Sequence, residues 1–219
     1  MFGIHDLPLF VIAGLLLNIT PGPDMVFSCS RAASQGVRGG MAALAGIYAG
    51  CVIHTFAAAV GISAILRTSA EAFFFVKMIG AAYLVYVGIG MLRERTGNNA
   101  IAQSLDNSLP LAPPKRIFWQ GFLTNVLNPK VALFYLAFLP QFISSESSEK
   151  TLAFLTLGAI FMFNSIFVTA PLIWFVAKSS ARFKSGNKVG GKLVNWLHRS
   201  CGALFVVVGI KLALTERPA

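Results

Sequence analysis

Two short segments of the 219-residue chain carry amides, prolines and a charge in the same order. One is Asn18-Ile19-Thr20-Pro21-Gly22-Pro23-Asp24, and the other is Asn125-Val126-Leu127-Asn128-Pro129-Lys130. Proline in a helix interior removes a backbone hydrogen bond and crowds the preceding turn. Thr20 before Pro21, and Asn128 before Pro129, read as N-cap followed by first helical residue, so each break is expected to start a new half-helix. The free N–H groups and positive dipole end of such a half-helix can seat an anion. A carboxylate could sit on two such ends, with the amides of Asn18 and Asn125 adding neutral hydrogen bonds. Asp24 would then answer an ammonium group, while Lys130 would strengthen the carboxylate side or neutralise Asp24 in an empty site. A zwitterion satisfies all of these groups, whereas a sugar leaves the charges unanswered and an inorganic cation leaves the anion seat unused. The simpler alternatives are a pair of ordinary proline kinks, an Asp24–Lys130 pair that fixes helix packing, and an Asp24 that only complements a helix N-terminus.

The elements that must hold these segments follow from where charge is missing. Hydrophobic residues make up 56% of the chain and charged residues 12%, about half the charge of a soluble domain. A hydrocarbon core about 30 Å thick needs about 20 mostly apolar residues per helix. Residues 39–66 and 151–177 carry no charge; 72–92 and 117–145 carry only Lys77 and Lys130; 7–23 is uncharged; and 193–214 is apolar apart from Arg199 and Lys211. The expected architecture is an all-α integral membrane protein with six transmembrane helices, the first and fourth broken at proline. The start, Met-Phe-Gly-Ile-His-Asp, lacks the basic region and small-residue cleavage site of a signal peptide, so the first stretch is expected to stay as a membrane helix. A charge at mid-membrane costs about 2.5–3.5 kcal/mol on insertion scales, so Asp24 and Lys130 need partners or water.

The net charge of +10 is not a nucleic-acid footprint, because the basic residues lie between the spans and form no patch on a soluble domain. Twelve of the 18 Lys and Arg fall in the loops after the first, third and fifth spans, and five on the opposite side. The positive-inside rule makes the twelve-residue side cytoplasmic and places both termini outside.

An internal repeat divides the chain. Gly80-Ala81 through Gly88-Ile89 in the third span parallels Gly202-Ala203 through Gly209-Ile210 in the sixth, just as the two broken segments parallel each other. The hydrophilic, proline-containing stretch 93–116 is read as a cytoplasmic linker between a 1–92 repeat and a 117–219 repeat, each of three helices. With three spans per half, the second half enters the membrane from the opposite side, which makes the repeats inverted. Irregular backbone at membrane depth normally lines a cavity, so the paired breaks mark the site.

Other polar residues in the spans carry weaker signals. His54 reads as an interhelical hydrogen-bonding group, as does Asn164. Gly46 and Gly50 form a small-xxx-small surface for close helix approach. Cys29, Cys51 and Cys201 are scattered in or beside apolar runs and make neither a disulfide framework nor a zinc pattern.

The paired motifs, with Asn125-Val126-Leu127-Asn128-Pro129-Lys130 leading into Phe138-Leu139-Pro140-Gln141-Phe142, resemble the signatures of the LysE/RhtB family of amino-acid exporters. The resemblance covers the whole chain in length, spans and basic linker. It implies a bacterial inner-membrane protein that exports a small amino acid or derivative, by proton antiport, with no cofactor or metal. Carried over, Asn18, Pro21, Gly22, Pro23 and Asp24, with Asn125, Asn128, Pro129 and Lys130, form the substrate site, which Thr20 joins by its place in the first break; the position of Asp24 in a low-dielectric cavity makes it the expected proton-coupling residue, exchanging a proton for a bound ammonium group. The outward direction comes from the resemblance alone. The implied partners are the amino acid and membrane lipid; monomer and homo-oligomer both stay open.

Rival classes fare less well. A six-span thiol–disulfide carrier needs a cysteine beside each proline break, and neither Pro21 nor Pro129 has one. A hydrolase needs a nucleophile with a base or converging metal ligands, and the three His, at 5, 54 and 198, are far apart. A passive channel, or an exporter of another small solute or ion, remains the alternative.

Overall fold

The computed structural model describes residues 2–64, 70–93, 109–144 and 146–183, with single positions between 199 and 214. Most of the sixth expected span and the centres of the 93–116 linker and the 178–199 loop fall outside the described residues. Among the described residues the structure is helical, with one isolated antiparallel bridge between Ile4 and Ile143.

Helix α1, Leu7–Ile19, is 13 residues long, about 20 Å at 1.5 Å per residue and too short to cross hydrocarbon alone. It stops where Thr20 turns extended, although the Thr20 N–H still bonds Leu16 O at 3.1 Å. Helix α2, Pro23–Ala57, restarts three residues later with Gly22 as its extended N-cap and Pro23 in its first turn. This corrects the reading of Thr20–Pro21 as cap and first helical residue. Thr20 instead closes the preceding half-helix, and the restart uses the second proline of the Pro-Gly-Pro run.

A second correction follows along α2. The span was expected to end near residue 23, leaving Arg31 in a loop, but the chain stays helical through Gln35 and Arg31 is only 4% exposed. The turn comes at Gly36, whose φ of 69° lies in the left-handed region that favours glycine. Residues eight apart in a continuous helix stand about 12 Å apart. A Cβ placed on Gly40 would nevertheless lie 2.9 Å from Ala32 Cβ, so α2 is a tight hairpin of two arms. Its second arm ends in the π-helical turn Ala58–Ile62.

Helix α3 covers Ala70–Arg93. Helix α4, Pro114–Val126, is again 13 residues long. After Leu127 and Asn128 the chain resumes as α5, Pro129–Leu133, and runs on through a π turn, Phe134–Phe138, into a 3-10 turn, Leu139–Phe142. The two segments meet at a 48° bend. Helix α6, Lys150–Phe183, completes the described set. By length and apolarity, Lys150–Lys178 and the stretch Pro23–Ile62, which folds back at Gly36, each hold a segment able to cross a membrane, and the bent pair Pro114–Phe142 makes a third candidate.

Glycines set the contact between the second arm of α2 and α4. A Cβ on Gly46 would collide with the carbonyl of Phe118, and one on Gly121 with the carbonyl of Ala43. The small-xxx-small surface at Gly46 and Gly50 therefore brings two backbones together. Elsewhere, a Cβ on Gly209 would lie 2.8 Å from Val85 of α3. Phe10, Phe134, Phe138, Phe142 and Phe161 pack into one aromatic core, with Phe134 and Phe161 centroids 4.4 Å apart. On the outer side of α6, Phe163, Phe167 and Trp174 are exposed, as suits a face turned toward lipid.

Candidate functional site

The two breaks meet. Asn125, in the last turn of α4, is fully buried and donates from Nδ2 to Asp24 Oδ2 at 2.7 Å, in the first turn of α2. Lys130, in the first turn of α5, donates from Nζ to the carbonyls of Thr20 at 3.1 Å and Leu17 at 3.3 Å. Those carbonyls end α1, so the ammonium lies at the negative end of a helix dipole, where a cation is favoured. The mirror contact closes α4: His54 Nε2 lies 3.1 Å from Asn125 O. A carbonyl only accepts, so this nitrogen carries the proton. His54 thus makes the interhelical hydrogen bond expected of it, and its ring stacks on Tyr135 at 5.9 Å. Each half-helix that ends at a break is capped by a side chain from the other half of the chain.

The two restarting ends differ. Asn128 is the N-cap of α5 in its extended conformation, and its Oδ1 accepts from the Lys130 N–H at 3.0 Å. Gly22 has no side chain with which to cap α2, leaving the first-turn N–H groups of Asp24 and Met25 without a side-chain cap. The two half-helix ends expected to share one anion seat are therefore unequal, and the end without a side-chain cap is that of α2. Glycine at this position also makes room: a Cβ on Gly22 would stand 3.4 Å from Lys130 Nζ, a tight approach.

A cavity of about 70 Å³ lies between the breaks, roughly the liquid volume of two waters. Of the ten residues singled out in the sequence, Asn18, Thr20, Gly22, Asp24, Asn128 and Lys130 line it. Asn125 stands behind Asp24. Pro21, Pro23 and Pro129 shape the backbone instead of lining the space, and Pro23 and Pro129 are exposed. Three polar atoms of the lining residues are buried without a hydrogen-bond partner, Asn18 Nδ2, Asp24 Oδ1 and Ser28 Oγ. Leaving a buried polar group unmatched costs about 1–3 kcal/mol, a cost usually retained only where a ligand or water completes the site.

Several lining residues were not singled out in the sequence. Ser28 lies one turn beyond Asp24 on α2, and Phe161, Ser165 and Thr169 recur every four residues along one face of α6. Helical spacing held that signal, but Ser and Thr in membrane helices are common enough that only the facing cavity distinguishes them. Gly50 was read as packing alone, yet a Cβ there would lie 2.6 Å from Asn125 Oδ1, so this glycine also makes space for the amide that holds Asp24. Among the described residues no cluster of His, Cys, Asp and Glu could hold a metal ion.

Comparison with known proteins places these features in company. The model of the LysE type translocator family matches residues 15–216. An uncharacterized membrane protein of Pseudomonas aeruginosa is 29% identical over 96% of both chains. A leucine efflux protein of Salmonella choleraesuis is 27% identical over 98% of both chains. A homoserine/homoserine lactone efflux protein of Salmonella typhimurium is 29% identical, covering 93% of this chain and 94% of its own. No solved structure matches.

Proposed function

The chain belongs to the LysE type translocator family, and from that premise we propose that it is a secondary transporter which exports a small amino acid or derivative across the bacterial cytoplasmic membrane by proton antiport. It is a transporter and not an enzyme, so its site has to bind and release a solute without transforming it. The observation that carries the reading is the cavity between the two breaks, with Asp24 and Lys130 on its wall. The similarity to leucine and homoserine efflux proteins supports an amino-acid substrate and the outward direction.

In this reading the substrate carboxylate lies toward the uncapped N-terminus of α2 and the Lys130 ammonium, and the substrate ammonium toward Asp24 Oδ1. The Asn18 amide supplies a further donor. Asp24 releases the ammonium when it takes up a proton and so couples export to the proton gradient. The proposed architecture is six spans in two inverted repeats, 1–92 and 117–219, joined by the 93–116 linker, with both termini outside. Equal 13-residue half-helices before each break support the repeat.

Purified protein in proteoliposomes tests the function. An imposed pH gradient should drive a radiolabelled small amino acid against its concentration difference, and expression should protect cells from a toxic analogue. Equilibration without accumulation would favour a passive channel, and transport confined to sugars or metal cations would overturn the assignment.

A further inference from the structure

The cavity has a second wall that the zwitterion reading leaves unused. Phe161, Ser165 and Thr169 line it from one face of α6, and Ser28 lines it from α2. Ser28 is fully buried, and its Oγ has no hydrogen-bond partner. Helical Ser and Thr commonly return their hydroxyl to the carbonyl four residues back, as Ser30 does to Val26 O at 2.8 Å and Thr55 to Cys51 O at 2.8 Å. Ser28 does not. Ser165 and Thr169 offer each other only a 3.5 Å contact, at the outer limit of a hydrogen bond. Three hydroxyls thus border one small space, that of Ser28 without a partner and that of Ser165 shared with Tyr48 and Thr169, opposite apolar neighbours such as Leu44 and Ile47.

We infer that Ser28, Ser165 and Thr169 determine substrate specificity by hydrogen-bonding the side chain of the transported amino acid, and that they favour a short side chain bearing a hydroxyl over its apolar isostere. This rests on the reading of the cavity as the amino-acid site. Asp24 and Ser28 lie one turn apart on α2, so the α-ammonium and the side-chain hydroxyl of one small substrate are met from a single helix face. A cavity of about 70 Å³ that also seats the carboxylate and ammonium leaves room for a short side chain and not a long one. A site built to bond a hydroxyl rejects the analogue lacking it, because its own polar groups are then left unmatched.

Threonine and valine differ by hydroxyl against methyl at nearly equal volume and make the probe pair. Full-length protein in proteoliposomes should transport threonine in preference to valine. In the combined variant Ser28→Ala, Ser165→Ala, Thr169→Val, the threonine-to-valine ratio should fall by about tenfold or more, the scale of one or two lost neutral hydrogen bonds. Valine transport should remain, and Thr169→Val alone, which preserves shape, should give part of the shift. An unchanged ratio in a variant that still transports, or a wild-type protein that prefers valine, would overturn the inference while leaving the amino-acid reading intact. Wild-type protein that is folded and transports no amino acid would overturn both.

Discussion

Asp24 and Asn125, 101 residues apart in the chain, share a 2.7 Å hydrogen bond that joins the first turn after one break to the last turn before the other. Only one carboxylate oxygen is engaged. The other, Oδ1, is buried without a partner, which leaves Asp24 anchored on one side and receptive on the other. Asn125 is fixed in turn by its own packing, fully buried against Gly50.

Replacing Asp24 by Asn should leave a folded membrane protein that no longer drives export with a pH gradient. Losing a charge-assisted hydrogen bond to the substrate ammonium should weaken binding by about 10- to 100-fold. Gradient-driven flux in proteoliposomes, normalised to folded protein, is the readout. Normal pH dependence in the folded variant would remove Asp24 from the coupling role.

Gly50→Ala should destabilise the protein by about 1–3 kcal/mol, because the new methyl meets Asn125 Oδ1 at 2.6 Å and Asn125 Cβ at 2.9 Å in a packed interior. Gly90→Ala is the matched control, since nothing lies within 4 Å of the added Cβ. Thermal unfolding in detergent should separate the two, and equal midpoints would contradict the packing argument.

Lys130→Met keeps much of the side-chain length but removes the donor to the Leu17 and Thr20 carbonyls. The end of α1 should loosen, at a cost of about 1–3 kcal/mol for the groups left unmatched. Hydrogen exchange should then rise in the last turn of α1 and not in its first; uniform exchange along the helix would argue against the capping role.

A clasp between the first arm of α2 and the chain before and within α4 gives an independent test. Gln35 donates to Ala112 O at 2.8 Å and accepts from the Ala112 N–H at 3.0 Å, while Arg31 reaches Pro110 O at 2.9 Å and Gln120 Oε1 at 2.8 Å. Gln35→Ala should therefore speed exchange of the Ala112 amide by about tenfold, the effect of losing roughly one net hydrogen bond. Exchange unaffected by this change would mean that the clasp is not formed in solution.

Topology is checked by reporter fusions. A cytoplasmic reporter should be active at residue 105 and inactive at the C-terminus, following the distribution of Lys and Arg. Strong signal from the outer side at residue 105 would reverse the proposed orientation.

By itself the sequence determined the membrane class, the family resemblance and the location of both breaks. These rest on local physics: long uncharged runs demand lipid or burial, and proline interrupts a helix wherever it falls. Asn128 was legible as a cap because its bond to the Lys130 N–H spans two residues. The equivalent role of Thr20 was misread because Pro-Gly-Pro offers two restart points, and the choice of Pro23 depends on how the chain enters the second half-helix. Arg31 looked like a loop residue because a charge inside an apolar protein normally marks a boundary. It is buried because Gln120 and the Pro110 carbonyl, far away in the chain, supply its acceptors. Tertiary structure alone decided the pairing of Asp24 with Asn125, the dependence of Asn125 on Gly50, and the meeting of Ser28 with Ser165 and Thr169 across one cavity. Hydrogen bonds and steric exclusion act over about 3–4 Å, so residues distant in sequence acquire these roles only when the packed helices bring them that close.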